Sequence, residues 1–371
     1  MVVVGLCLAS GAPKVPNWHV RTASPMVRLE ASSPVPIGYT PAEIARAYRV
    51  DAIDSRVGSG RLIAIVVAFH QPSIEADLGR FISAFGLPSI AGLESARPCD
   101  FARGPHPCFE RTHTRTTPAA SPGWALETAA DVEWTHAISP MADVLLVEAQ
   151  NDQVDELLAA VDLAVRSGAD IVEMSWGTEE MSVELTDDIH FAPYTVAFVA
   201  ATGDAPGVFS YPAASPYVIA VGGTSLVLGS QGQRASENGW SHAGGGVSHF
   251  EPQPHYQARE SAPFSVRMRT VPDVAANAAI DSGYAVTTSD GIEHLPRWSR
   301  TGGSSGAAVV WAALLSLGTA DCSRRTTEEP YGAQLYQDVM VNGRPHQYDL
   351  ETGLGPPDAQ LLMPSLCAPR H

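Results

Sequence analysis

The sequence predicts an α/β fold in which helices cover both faces of a mainly parallel central sheet. The segment Leu62–Ala68 is a continuous apolar run, which is typical of a strand buried on both faces. Further apolar runs alternate with helical patterns, of which Gln153–Arg166 is the most clearly amphipathic. Such alternation favours parallel strands, because each helix carries the chain back along the sheet. With 371 residues, 45% of them hydrophobic, the chain can form the large core that this fold needs.

The predicted elements follow one another from Gly38 onward. Thr40 is expected to cap a first helix, with Pro41 at its first position and Glu43 completing a capping box. The region 229–303, rich in Gly, Pro and Ser, is predicted to form long loops of the same domain. The remaining elements are helices near 73–85, at Trp124–His136, at Gln153–Arg166 and within Gly306–Gly318, and strands at Leu62–Ala68, Asp143–Val147, Asp170–Met174, Thr195–Ala201, Tyr217–Val221 and Ser225–Leu228.

Charge and hydropathy exclude two classes of partner. The chain has 40 acidic and 23 basic residues, and its formal charge of -17 argues against nucleic acid and against an anionic membrane surface. No stretch reaches the roughly 18–20 apolar residues that a membrane-spanning helix needs. We therefore predict a protein that binds no nucleic acid and spans no membrane.

Residues 1–37 are interpreted as a leader or signal remnant followed by a loose arm, ahead of one domain at 38–371. The first twelve residues are apolar and end in small side chains, as in the hydrophobic region of a secretory signal, but they lack a basic start. A start inside a longer signal or pro-segment fits the same pattern. Together with the cysteines, this feature predicts a secreted protein.

The five cysteines favour two disulfides. Cys7 would leave with a signal peptide, and the other four allow three pairings. Cys99 and Cys108 bracket a short segment rich in Pro, Gly and Arg, so we favour Cys99–Cys108, with Cys322–Cys367 by elimination. The alternative is four free thiols in a reducing compartment.

A serine pair follows two glycines in the segment Trp298-Ser-Arg-Thr-Gly-Gly-Ser-Ser-Gly-Ala-Ala-Val-Val-Trp311. The pair opens an apolar helix, where free N–H groups and the helix dipole favour negative charge beside a serine. On this pattern Ser304 and Ser305 are both candidate nucleophiles. The alternative is an ordinary serine at a helix N-cap.

Two carboxylates lie four residues apart in a helix with apolar flanks. The spacing of Glu127 and Asp131 puts both on one helical face. A close pair of this kind shares protons, with the pKa of one member raised, so Glu127 can act as a base oriented by Asp131. The alternative is a solvated helix face.

Two further segments lie at the ends of predicted strands. Asp204 follows a buried strand, where open α/β sheets place their sites; the alternative is a simple turn. The strand at Asp170–Met174 ends in Ser175, Trp176 and Gly177, and such an edge can pair with an extended peptide.

Taken in this order, these segments resemble the sedolisin family of serine-carboxyl peptidases, which have a subtilisin-like fold. The resemblance runs from about Tyr39 to the C-terminus. The matching motifs are the Glu-x-x-x-Asp helix of Glu127 and Asp131, the Ser175-Trp-Gly strand end, the Gly-Asp at Asp204 with the later Tyr211-Pro-Ala and Val221-Gly-Gly-Thr, the Gly244-Gly-Gly-x-Ser segment with Pro254 and Tyr256-Gln, Arg269-Thr-Val-Pro-Asp, and the serine motif ending at Ser305.

The resemblance implies a peptidase that hydrolyses the peptide bonds of proteins at acidic pH through an acyl-enzyme. It implies Ser305 as the nucleophile, Glu127 as the general base, Asp131 as its partner and Asp204 as the acid of the oxyanion hole. The segment of Ser175, Trp176 and Gly177 is the implied substrate-binding strand. We also expect a monomer.

Several positions depart from the family pattern. Ser304 stands where the family usually has Thr, and Val309 where it usually has Pro. Ala205 and Pro206 replace the usual Ser-Gly, and Glu173 lies where Ser is common. None of these changes removes a catalytic group, but they leave a catalytically impaired peptide-binding module as the alternative function.

Two further expectations concern related proteins. A His-dependent subtilisin would need a His-Gly pair at a helix start, and none of the twelve histidines is followed by Gly. Because only 38 residues precede Tyr39, we expect the family's pro-domain to be missing from this chain.

The resemblance also implies one structural calcium ion in the polar loop between Asp338 and Asp349. Ca²⁺ takes about 6–8 oxygen ligands, with carboxylates and carbonyls mixed. Asp338 and Asp349 are the expected carboxylates, and Val339, Pro345 and Gln347 the expected carbonyls. Pro345 and Gln347 replace glycines of the family's loop; the alternative is an ordinary surface turn.

Overall fold

The computed structural model describes residues 33–53, 58–93, 99–101, 106–192, 196–258, 264, 266–289, 296–318, 340–341, 344–345 and 348–366. Its helices are α1 (Pro41–Ala47), α2 (Ile74–Phe85), α3 (Pro122–Ile138), α4 (Val154–Arg166), α5 (Glu184–Asp187), α6 (Ser304–Ser316) and α7 (Ala359–Leu366). Its strands are β1 (Leu62–Ala68), β2 (Phe109–His113), β3 (Asp143–Ala149), β4 (Ile171–Met174), β5 (Ala197–Ala201), β6 (Val218–Leu228), β7 (Arg234–Gly239), β8 (Gly246–Pro252), β9 (Met268–Val271), β10 (Val274–Asn277), β11 (Tyr284–Thr288), β12 (Arg297–Thr301), β13 (Met340–Val341) and β14 (Arg344–Pro345).

A central eight-stranded sheet organises the domain. Seven strands pair in the parallel order β10-β6-β5-β4-β1-β3-β2, and β7 pairs antiparallel with β6. Every residue of β1 and β3 is buried, which requires cover on both faces of the sheet. The predicted α/β fold with a mainly parallel sheet is confirmed.

Two helices of the interior carry the candidate catalytic residues. α3 and α6 pack against each other; α6 also packs on β4, β5, β6 and β10, and α3 on β1 and β11. Every residue of α6 is buried, as expected for a helix that is apolar on all sides. α4 packs on β1, β3 and β4. The polar groups on α3 and α6 therefore lie inside the protein.

The capping box predicted at α1 is present. The Thr40 side chain accepts a hydrogen bond from the Glu43 N–H, and the Glu43 carboxylate accepts one from the Thr40 N–H at 2.8 Å. Pro41 occupies the first turn, as its fixed φ angle favours. This local signal was sufficient to locate the start of the helix.

Two predictions about the second half of the chain are wrong. The two short strands expected at 217–228 form the single strand β6, with Gly222 and Gly223 inside it. A Cβ on Gly223 would lie 2.7 Å from the Ala278 Cβ and 2.8 Å from the Trp240 ring, so this glycine permits close packing and does not break the strand. The region 229–303 contains β7 to β12 where long loops were expected.

The predicted disulfide Cys99–Cys108 is present. Cys7, Cys322 and Cys367 lie outside the described residues, so the second pairing stays a prediction. Within the ranges given above, no helix is long and apolar enough to cross a membrane.

Candidate active site

The candidate residues meet at the carboxyl ends of the central parallel strands. Ser175 follows β4 and Asp204 follows β5, and these two strands are neighbours. The start of α6, with Ser305, lies against both segments through hydrogen bonds described below. This is the edge at which open α/β sheets bind their ligands.

The serine pair opens α6 after a glycine that adopts a left-handed conformation. Gly303 has φ +133°, which an L side chain rarely adopts, so glycine is needed at the helix start. The Ser304 hydroxyl accepts a hydrogen bond from the Gly203 N–H at 3.0 Å. The Ser305 hydroxyl is buried and has no hydrogen-bond partner among the described residues. This arrangement supports Ser305 over Ser304 as the nucleophile.

Asp204 is hydrogen-bonded to the same turn. Its Oδ1 accepts a hydrogen bond from the Ser304 N–H at 2.8 Å, which holds the carboxyl group one residue from Ser305. Burial raises the pKa of Asp204 to about 6, against the opposing effect of hydrogen bonds from Ser304. Below that pH the carboxyl group is neutral and can donate a hydrogen bond.

The carboxyl pair on α3 is buried. Glu127 is 2% exposed and Asp131 0%, so the alternative of a solvated helix face is wrong. Burial raises the pKa of Asp131 well above its usual value; the charge of Glu173 raises it further, and that of Glu127 adds a smaller effect. A nearby Ser175 hydroxyl acts in the opposite direction. Burial therefore favours the protonated form of Asp131 at acidic pH.

Glu173 is a third buried carboxyl group, and its charge raises the pKa of Asp131; in the sequence it stands out only as a departure from the family pattern. It is fully buried in β4, between Ile65 of β1 and Val199 of β5. Burial raises its pKa to about 8. The signal that could have revealed it is a glutamate within an otherwise apolar strand, since such residues are seldom buried without a partner.

The predicted substrate strand has its polar side chain turned inward. The Ser175 hydroxyl donates to Glu173 Oε1 at 2.7 Å and lies 3.4 Å from the Ser305 carbonyl oxygen. Trp176 is fully buried. A peptide at this edge would therefore contact mainly the backbone from Ser175 to Gly177, and the assignment of these residues to substrate binding stays a prediction.

A cleft of about 630 Å³ opens beside the turn that carries Asp204. Its walls include Gly302, just before the serine pair, together with Trp240 and Ile280. The cleft has both polar and apolar surface and adjoins the candidate oxyanion acid. Ser304 and Ser305 are not among the residues that line it, so the cleft reaches the site only at Asp204 and Gly302.

Most residues of the predicted calcium site lie outside the residues that the structure describes. Asp338, Val339 and Gln347 are not described, and only the backbone of Pro345 is. Asp349 Oδ1 accepts hydrogen bonds from the two backbone N–H groups of 351 and 352, at 2.7 and 2.6 Å, as in an ordinary turn. Among the described residues, no group of three His, Cys, Asp or Glu side chains could hold a metal ion. The calcium site stays a prediction.

Comparison with protein families matches residues 123–342 to the subtilase family. This range includes all four candidate catalytic residues. It covers more than half of the chain.

Two characterised relatives are similar in sequence. Kumamolisin of Bacillus sp. (strain MN-32) is 30% identical over 335 residues, which cover 81% of this chain and 56% of kumamolisin. Sedolisin of Pseudomonas sp. (strain 101) is 31% identical over 115 residues, 28% of this chain and 18% of that protein. The chain thus spans about half the length of kumamolisin.

Solved structures show the same fold. Pseudomonas sedolisin, described as a serine-carboxyl proteinase complexed with two molecules of pseudo-iodotyrostatin, matches with a TM-score of 0.73 and 22% identity, over 89% of this chain and 98% of that one. The prenylagaramide maturation protease PagA matches with a TM-score of 0.51 and 15% identity, over 86% of this chain and 97% of that one.

Proposed function

The chain belongs to the subtilase family, and within it to the sedolisin type, and on that basis we propose that it is a serine-carboxyl peptidase acting on proteins at acidic pH. The observation that carries the proposal is the hydrogen bond from the Ser304 N–H to Asp204 Oδ1. It fixes an acid with a raised pKa beside Ser305, close to where a tetrahedral oxyanion would form.

The proposed reaction begins with attack of the Ser305 hydroxyl on a peptide carbonyl. Glu127, ionised, takes the hydroxyl proton, and Asp131 holds the Glu127 carboxylate in place. The bond from Ser305 Oγ to the carbonyl carbon forms, and the carbonyl oxygen gains negative charge. Because α3 and α6 pack against each other, these groups lie on adjoining buried surfaces.

Asp204 stabilises that charge. As a neutral acid it donates its proton in a hydrogen bond to the oxyanion, next to the backbone N–H groups at the start of α6. Glu127 then gives its proton to the leaving amine, and an acyl-enzyme on Ser305 remains. Water attacks the acyl group by the same steps in reverse order and releases the second product.

The test is cleavage of a denatured protein at pH 4, with products identified by mass. Wild type should cleave, Ser305→Ala should be inactive while folded, and Ser304→Ala should keep activity because its hydroxyl is engaged by Gly203. Activity in Ser305→Ala together with none in Ser304→Ala would overturn the assignment of the nucleophile.

One observation favours the alternative of a catalytically impaired peptide-binding module. The Ser305 hydroxyl makes no hydrogen bond to any described side chain, although such bonds are often long before substrate binds. In this alternative the chain would bind the denatured protein at pH 4 and release it uncut. The same assay, with retention on immobilised substrate as a second measurement, separates the two functions.

We also propose that the protein is secreted. The Cys99–Cys108 disulfide supports this location, because disulfides persist in oxidising compartments. Recovery of the protein from the culture medium, with this bond oxidised, is the expected result.

A further inference from the structure

A buried carboxyl group and two histidines lie together at the carboxyl end of β3. Glu148 is 0% exposed, and a carboxyl group in that position needs partners. The His70 Nδ1 lies 2.8 Å from Glu148 Oε2, and the His113 Nδ1 lies 3.4 Å from the same oxygen. The Gln71 N–H donates to Glu148 Oε1 at 3.0 Å. His70, Glu148 and His113 are called the His–Glu–His cluster below.

We propose that the His–Glu–His cluster is a set of positioning residues of the active site: it fixes the chain at the start of α3, and with it the base Glu127, and it does so most firmly at acidic pH, where the histidines are charged. This role rests on the proposed peptidase function. The cluster acts through α3 and takes no part in bond making.

The cluster joins three neighbouring strands at the edge of the sheet that carries the candidate active site. Glu148 belongs to β3, His113 is the last residue of β2 and is paired with Glu148 in the sheet register, and His70 follows β1. β1 and β2 flank β3 on its two sides. One buried carboxyl group therefore connects the ends of all three strands.

The backbone beside His70 leads to α3. The His70 N–H donates to the Ala119 carbonyl oxygen at 3.0 Å, shortly before α3 begins. The Phe69 ring packs against the ring of Trp124 near the start of α3, with centroids 6.3 Å apart. Trp124 and Glu127 lie three residues apart, and this spacing puts them on one face of the helix. Movement of His70 would therefore disturb the helix that carries the base.

The turn at Phe69 needs support from its surroundings. Phe69 has φ +65°, a left-handed value that is unfavourable for a bulky side chain and persists only where other contacts fix it. The Phe69 N–H donates to the Ala149 carbonyl oxygen at 2.9 Å, and the next two N–H groups donate to Ala119 and to the Glu148 carboxyl group. Loss of that carboxyl group would remove one of the three bonds.

The charges around the cluster leave the histidines as the partners of Glu148. Among the described residues, Glu148 forms ion pairs only with His70 and His113. Nearby charged groups have other partners: Arg111 pairs with Glu75 at 3.0 Å, Arg115 with Glu156 of α4, and Asp77 of α2 with Arg80 at 2.8 Å. The remaining titratable groups on the elements that pack on β3 are Glu110 of β2, Glu127, Asp131, Glu133 and His136 of α3, and Asp155, Asp162 and Arg166 of α4.

This arrangement makes the cluster sensitive to pH. Histidine is the side chain that ordinarily changes its charge between pH 5 and pH 8. A charged imidazole beside a buried carboxylate stabilises the folded state, so this contribution is present at pH 5 and lost as the imidazoles lose their protons toward pH 8. The start of α3 should therefore be held more loosely at neutral pH.

The first experiment measures kcat and KM at pH 5 for substitutions of His70 in the full chain. His70→Leu leaves His113 at 3.4 Å as the remaining ion-pair partner of Glu148. Its kcat should fall about tenfold to a hundredfold with KM nearly unchanged, as for a small displacement of a catalytic group. His70→Asn keeps an N–H donor near the position of Nδ1 and should restore kcat to within about threefold of wild type. If asparagine is as harmful as leucine, the hydrogen bond has no positioning role.

His113 supplies a milder variant in case His70→Leu does not fold. Its Nδ1 lies farther from Glu148 Oε2, so His113→Leu should lower kcat in the same direction by a smaller factor. Unchanged kcat in both His113→Leu and a folded His70→Leu would overturn the inference. If only His113→Leu folds, unchanged kcat in that variant overturns it.

His106 provides a matched control at the opposite end of the same strand. Its Nδ1 lies 2.7 Å from Oδ2 of the buried Asp143, and Asp143 Oδ1 accepts the Cys108 N–H at 2.9 Å. The pair thus repeats the geometry at Glu148, but at the edge of the sheet away from the active site. His106→Leu should lower the melting temperature and leave kcat of the folded protein unchanged. An equal loss of kcat in His106→Leu and His70→Leu would show a general effect of stability and overturn the inference.

A second measurement does not depend on turnover. In a Ser305→Ala background, thermal melts at pH 5 and pH 8 compare His70→Asn, Glu148→Gln and the double variant. Asparagine is uncharged throughout, so His70→Asn should reduce the fall in melting temperature between the two pH values. The non-additivity of the two substitutions should be larger at pH 5 than at pH 8. Equal non-additivity at both pH values would contradict the role of histidine charge.

These outcomes distinguish failure of the inference from failure of the proposed function. An inactive wild type would refute the peptidase function, and the melts of the Ser305→Ala variants would still test the charged cluster. An active wild type with the predicted melts, but with full kcat in His70→Leu, would refute the positioning role alone.

Discussion

Replacement of Asp204 by asparagine should remove the upper pH limit of activity. In the proposed reaction Asp204 acts only as a neutral donor, and burial raises its pKa to about 6. An asparagine side chain donates an N–H at every pH. It can also accept the Ser304 N–H through its carbonyl oxygen, so the turn beside Ser305 should be preserved.

The size of the effect follows from this pKa. One pH unit above a pKa of about 6, roughly a tenth of Asp204 remains protonated, and two units above it roughly a hundredth. The kcat/KM of the wild type should fall by those factors between pH 5 and pH 8. Asp204→Asn should lack this decline. Asp204→Ala removes the donor and should lose about 10²–10³ in kcat at pH 4, as for other oxyanion-hole donors.

The assay is kcat/KM for an internally quenched peptide from pH 3 to pH 8, with thermal melts to confirm folding at each pH. A decline near pH 6 that persists unchanged in Asp204→Asn would assign the limit to another group. Nearly full activity in Asp204→Ala at pH 4 would remove Asp204 from the reaction.

Three further outcomes are expected. Glu127→Gln should lower kcat by about 10²–10⁴ with little change in melting temperature; full activity would exclude Glu127 as the base. The melting temperature of Ser305→Ala should fall as pH rises from 4 to 8. Burial raises the pKa of Glu173 and Glu251 to about 8 and that of Glu184 to about 9, so the folded state binds more protons than the unfolded state. A melting temperature that rises with pH would contradict these assignments. Chelation of calcium should lower the melting temperature through loss of an ion bound only to the folded state, and elemental analysis without calcium would exclude the site.

The parallel core was predictable because its signals are local. β1 is buried at all seven positions of Leu62–Ala68, and an uninterrupted apolar run is the pattern that such burial produces. The capping box at Thr40 specified the start of α1 in the same way. These features depend on neighbours along the chain, which a sequence displays directly.

The errors arose where distant contacts decide the structure. Two separate strands were expected on either side of Gly222 and Gly223, but both glycines lie within β6, where a Cβ would crowd Pro272 or Trp240. The Gly-rich region after β6 forms strands that pair with each other, as in β8 with β9 and β11 with β12. Pairing of this kind compensates for weak local propensity, so the pattern alone could not reveal it.

In the candidate site, too, the sequence predicted the features with local signals and missed those that depend on distant contacts. The spacing of Glu127 and Asp131 predicted a shared helical face, and motifs singled out Asp204 and Ser305. The role of Ser304 in binding the Gly203 N–H depends on which loops meet at the end of the sheet, and the burial of Glu173 depends on the strands on either side of it. Such contacts join residues about 100 positions apart or reflect burial, and neither is visible in local spacing.

The central claim is an acyl-enzyme on Ser305 formed with carboxyl assistance. The most direct measurement is intact-protein mass spectrometry after acid quenching during turnover of a slowly deacylated ester substrate at pH 4, followed by peptide mapping. The account predicts one acyl group on Ser305 in the wild type, greatly slowed labelling in Glu127→Gln and none in Ser305→Ala. An acyl group on Ser304, or labelling of Glu127→Gln at the wild-type rate, would contradict it.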